Sequence, residues 1–193
     1  MIRLFHHGIV RAIVISAMVA GTCVIARGQV YRVRPIVRPR PMDTHVNSLT
    51  IAATPPLVAF ALRSGAVAQG SSGVNITTTW DSFGQVPQLM LYAFFNSSTS
   101  ALLDGLSPSH QIPSSAVLGQ MTTGAATSFT PFTQTTGFGA PGASLLLLNT
   151  YSGQVPRSGS RIDVLNLEID LTGLGNLPAG VYTGTLTLQA SIN

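Results

Sequence analysis

His110, in Ser107-Pro108-Ser109-His110, is the residue of this chain best placed for proton transfer, since the other histidines are His6, His7 and His45 near the N-terminus. A base beside a serine can start a nucleophilic site, but the serine must sit on a sharp turn and a carboxylate must orient the imidazole. The chain has no Gly-x-Ser-x-Gly, and a lone loop histidine reads as solvated. Glu168 and Asp170 stand two apart, which puts both carboxylates on one face of a strand. Such a pair can share a cation, yet calcium needs more oxygens than two side chains supply. Acids on an outer strand face also keep a sheet from aggregating. Gly137-Phe138-Gly139-Ala140-Pro141-Gly142 spells a dinucleotide-binding glycine motif, and Asp163 follows where a ribose-binding acid would be expected. That chemistry needs a strand before the glycines and a helix after them. Here a Thr-rich segment precedes, Pro141 interrupts and a Leu-rich run follows, so the glycines read as a turn. No catalytic residue, cofactor or metal site is expected.

The elements that would position these residues are strands. "VNITTTW" sets Val74, Ile76, Thr78 and Trp80 on one face and Asn75, Thr77 and Thr79 on the other, the alternation of a half-buried strand. Trp80 is therefore expected in the core. "QLMLYAFFN" is apolar on both faces, as a central strand is. "RIDVLNLEIDLTG" places Leu165, Leu167, Ile169 and Leu171 together, opposite Asn166, Glu168 and Asp170. The last segment sets Tyr182, Leu186, Leu188, Ala190 and Ile192 against Thr183, Thr185, Thr187, Gln189 and Ser191. Residues 57 to 68 read as strand and turn as well as helix. Residues 97 to 142, rich in Ser, Thr and Gly, read as long loops with one or two short strands. Asn75-Ile76-Thr77 and Asn96-Ser97-Ser98 spell glycosylation sequons. The fold class expected is all-β, an antiparallel immunoglobulin-like sandwich of seven or eight strands.

Composition adds an address. Arg3 and Arg11 precede the apolar run Ala12 to Ala26, and Ala26-Arg27-Gly28 is a small-x-small cleavage pattern, so residues 1–28 read as a secretory signal. The run falls short of the roughly 20 residues that span a bilayer, and no membrane span is expected in the mature chain. The net charge of +4 lies mostly in this leader and in the strip that follows. Arg32, Arg34, Arg38 and Arg40 crowd into the strip, leaving three arginines against six acids in residues 41 to 193. A body of that charge lacks the basic face that nucleic acid requires. Cys23 would leave with the signal, so no disulfide or thiolate metal site is available to the mature chain. Residues 29–47, with Pro35, Pro39 and Pro41 all at odd positions, read as an extended tether or as a strand at a sheet edge. Residues 48–193 form the expected sandwich domain.

The ending "LPAGVYTGTLTLQASI" carries Gly180, Tyr182, Gly184, Leu186 and Leu188 in the pattern G-x-Y-x-G-x-L-x-L. It resembles the C-terminal strand of secreted pilin-like sandwiches, the fimbrial subunits and spore coat protein U type domains. The resemblance implies export and assembly by strand addition from a neighbour or an export chaperone, with these five residues as the assembly motif. The expectation is a secreted, non-enzymatic surface or fimbrial-type structural subunit, periplasmic or extracellular, that self-associates through strand edges. The alternative is a solitary secreted module that recognises a glycan or protein through its loops.

Overall fold

Alternating apolar and polar residues give a strand one face to bury, and two such sheets bury their faces against each other. The computed structural model describes residues 15–22, 48–82, 88–105, 107–151 and 154–192. The expected tether, residues 29–47, lies outside them, as does all of the expected signal except residues 15–22.

The strands are β1 (Ile15–Thr22), β2 (Ser48–Thr54), β3 (Leu57–Ala61), β4 (Val67–Gln69), β5 (Val74–Asp81), β6 (Leu89–Phe94) and β7 (Leu102–Asp104). They continue with β8 (Ser107–Ile112), β9 (Val117–Gln120), β10 (Thr130–Pro131), β11 (Ser144–Asn149), β12 (Ser158–Asp170) and β13 (Val181–Ile192). One 3-10 turn, Ser114–Ala116, precedes β9. A seven-stranded sheet runs β11-β6-β13-β1-β3, with β7 and β8 attached beside β13. A six-stranded sheet runs β10-β9-β12-β5-β2, with β4 on β12. Every pairing among these strands is antiparallel except that of β1 with β3. The protein is thus an all-β sandwich.

The core follows the alternation. Val74, Ile76, Thr78 and Trp80 all point inward from β5, and Leu165, Leu167, Ile169 and Leu171 do so from β12 and the residue after it. Trp80 also donates its indole N–H to the carbonyl of Pro156, 2.9 Å away. Gly159, in register with Trp80, leaves room for that ring: a Cβ there would lie 2.9 Å from it. Phe95 and Phe132 meet edge to face at 5.2 Å, an arrangement favoured by the ring quadrupoles.

Residues 57 to 68 resolve into β3, a turn and the start of β4, the strand-and-turn alternative. One segment differs from the expectation. Residues 97 to 142 hold four short strands, β7 to β10, rather than one or two. They are tied down by the fully buried hydroxyl of Ser114, which lies 2.8 Å from the carbonyl of Phe132, 3.0 Å from that of Gly142 and 3.3 Å from that of Ser98.

Candidate assembly edge

Each residue of the C-terminal motif has a packing reason. Gly180 faces Asp104, whose carboxylate would lie 2.8 Å from a Cβ at that position. Tyr182 is buried, and its hydroxyl donates to the carbonyl of Pro178 at 3.0 Å, closing the turn that enters β13. Gly184 lies under the carbonyl of Ala101 so closely that only a hydrogen fits. Leu186 and Leu188 complete the core.

β13 is a central strand. On one side it pairs with β6 over Thr187–Ile192 and with β7 at Tyr182 and Thr183. On the other it pairs with β1, from Ile15 opposite Leu188 to Thr22 opposite Val181. β1 in turn runs parallel to β3, with Met18 opposite Leu57 and Thr22 opposite Ala61. The segment 15–22 is therefore the only described strand that joins the C-terminal strand to β3. Where β13 passes from β7 to β6, a cleft of about 370 Å³ opens beside Thr183, Gly184 and Thr185, walled by Phe95, Ser97 and Ser100.

The other chemistry-bearing residues disperse. His110 is not a solvated loop residue: its Nδ1 lies 3.1 Å from Oδ2 of the nearly buried Asp104, fastening β8 to β7 next to Tyr182. The nearby serine hydroxyls, Ser107 and Ser109, bond each other at 2.8 Å. Glu168 accepts from the side-chain amide of Gln69, while Asp170 accepts from the hydroxyl and the N–H of Thr172 at 2.6 and 2.9 Å. Those bonds, the hydroxyl's first, hold the Asp170 carboxyl below the ordinary aspartate range. The two acids thus serve separate local contacts. The glycine motif forms a turn, with Gly139 and Gly142 at φ of +69° and +76°, and Phe138 packs against Tyr92 at 5.2 Å on the outer face of β6. A left-handed φ suits glycine, and no helix follows it.

One arrangement escaped the sequence reading. Asp163 is 1% exposed and receives the guanidinium of Arg161 through Nε at 2.7 Å and Nη2 at 2.5 Å. The hydroxyl of Thr123 donates to the same carboxylate at 2.6 Å. The signal was available: Arg161 and Asp163 share the odd-numbered parity of Leu165, Leu167 and Ile169, so alternation carries the charged pair onto the inward face.

Among the described residues no group of three or more His, Cys, Asp and Glu gathers as metal ligands, and no helix is long and apolar enough to cross a membrane. No protein-family model matches this chain, and neither a curated protein nor a solved structure is similar to it.

Proposed function

We propose that the chain is an exported, non-enzymatic structural subunit of a cell surface that assembles through strand edges. The observation that carries this reading is the position of β1. It lies within the residues read as a cleavable signal, and it sits between β13 and β3. Cleavage after Gly28 removes it. β13 then loses its partner along Val181–Leu188 and β3 along Leu57–Ala61, so two unpaired main-chain edges face each other across a gap of two strand spacings, roughly 10 Å. Unpaired edges of this kind accept an added strand. A second copy of the chain or an export chaperone would supply it, and the motif Gly180 to Leu188 forms one wall of the slot.

Binding through the loops is the second reading, favoured by the walls of two clefts among the described residues: Ser97 and Ser100 line the one beside β13, and Thr123 and Gly124 line another where β11 ends.

N-terminal sequencing of the exported chain, followed by light scattering on a sizing column, tests the first reading. The expected result is a chain that begins at Gln29 and forms dimers or polymers, and a peptide of residues 15–22 should suppress them. A processed chain that stays monomeric, keeps its fold and ignores the peptide would overturn it.

A further inference from the structure

The second cleft, about 290 Å³ in volume, opens where β11 ends, beside Thr123, Asn149, Thr150, Gln154 and Arg161. Its polar groups divide unevenly between those engaged inside the protein and those left over. The Asn149 carbonyl Oδ1 accepts from Nε2 of Gln88 at 2.9 Å. The Gln154 carbonyl Oε1 accepts from the backbone N–H of Tyr151 at 3.0 Å. The Thr150 hydroxyl accepts from the N–H of Leu89 at 2.9 Å and lies 3.2 Å from its carbonyl. The Thr123 hydroxyl donates to Asp163. Arg161 spends Nε and Nη2 on Asp163, and Nη2 also reaches the Thr123 carbonyl at 3.3 Å.

The side-chain donors that remain unspent are all of one kind. Among the described residues, Nδ2 of Asn149, Nε2 of Gln154 and Nη1 of Arg161 make no hydrogen bond. All three are N–H donors, and the internal bonds to the two amide oxygens fix which end of each amide is free. The guanidinium is held by a carboxylate that is itself buried and triply bonded, so its free edge is set in place before any ligand arrives. Arranging donors in advance lowers the ordering cost of binding.

We infer that this cleft is a binding site for a single carboxylate group carried on a molecule no larger than a sugar acid. A carboxylate offers two oxygens with about four acceptor positions and no donor, the complement of three free donors. The charge of Arg161 is already offset by Asp163, so a singly charged ligand fits better than a doubly charged phosphate. A cation finds no unspent side-chain carboxylate among the residues lining the cleft. The inference stands whether or not the chain assembles through its strand edges.

The test follows the side-chain NH2 signals of Asn149 and Gln154 in the NMR spectrum of the full-length chain. It is titrated at constant ionic strength with sodium galacturonate, the α-amide of N-acetylglutamate, galactose and phosphate, so that each carboxylate ligand carries a single negative charge. Saturating shifts with either carboxylate, and none with galactose, are expected; the stronger of the two identifies a sugar acid or an acidic side chain as the source. Asn149→Asp and Gln154→Glu each keep the oxygen that is bonded internally and replace the free NH2 by a negative oxygen. Each should weaken the response at least about tenfold, since like charge is set against the ligand, while the backbone spectrum stays unchanged. The wild-type titration is decisive even if a variant fails to fold. No saturation with either carboxylate, equal binding of galactose, tighter binding of phosphate, or folded variants that bind as well as wild type would each overturn the assignment.

Discussion

Thr78 offers a direct measure of what an unmet polar group costs in this core. It points inward from β5, in register with Ile51 on one neighbouring strand and Arg161 on the other. The residue is 0% exposed, and its hydroxyl has no hydrogen-bond partner among the described residues. Burying such a group without a partner costs about 1–3 kcal/mol. Valine has the same shape and the same β-branching, so Thr78→Val leaves packing and strand preference intact. The variant should be stabilised by about 1–2 kcal/mol, which at roughly 2–4 °C per kcal/mol for a domain of this size raises Tm by about 2–8 °C. Thr78→Ser is the control: it keeps the hydroxyl, loses a methyl group and should be destabilised by about 1 kcal/mol. Urea unfolding followed by the fluorescence of Trp80 reads both, because the indole is 4% exposed and lies on the same strand. A destabilised Thr78→Val would show that the hydroxyl is satisfied in solution and would refute the reasoning.

Two further predictions concern local geometry. Gly184→Ala drives a Cβ into the Ala101 carbonyl and should cost about 1–3 kcal/mol or more, whereas Gly173→Ala, with nothing within 4 Å of the new atom, should stay within about 0.5 kcal/mol of wild type; equal unfolding midpoints would refute the distinction. Asp170 should titrate below the ordinary aspartate range because Thr172 stabilises its charged form. A lowered native pKa gives stability that is present above the unfolded-state value and is lost as pH falls through the native one. Thr172→Val should therefore move the Asp170 midpoint, read by NMR, upward; an unmoved midpoint would show that the hydroxyl bond is not the cause.

The long strands were legible because their alternation is a local signal. Val74 to Trp80 and Leu165 to Leu171 need only the two-residue period to declare their buried faces, and all of them are buried. Residues 97 to 142 were legible only in part. Strands as short as Leu-Leu-Asp in β7 and Thr-Pro in β10, or as polar as Ser107–Ile112 in β8, carry too little pattern, and what fixes them is pairing with distant partners, as Asp104 pairs with Tyr182. His110 shows the same limit, since the carboxylate it meets lies across a hairpin whose register no local pattern sets. The Arg161–Asp163 pair was hidden for another reason: charged residues are expected outside, so a parity that placed them inside was easily passed over. The place of residues 15–22 was out of reach, because an apolar run says that a segment leaves water but not which strands receive it.

The way the seven-stranded sheet is threaded bears on the order in which the chain can fold during synthesis. β13, the last of the described strands to be synthesised, is the one on which β1, β6 and β7 all pair. In the uncleaved chain the first described strand therefore waits for the last, and among the described strands β6 has only β11 to dock against in the meantime. The six-stranded sheet can close sooner, since β2, β5, β9 and β12 all precede the final turn. Contacts so distant along the chain form slowly, so a nascent chain lacking residues 181–192 holds one sheet with its apolar face uncovered. That interval, between completion of β12 and arrival of β13, is when the chain is most open to aggregation or to capture by another protein.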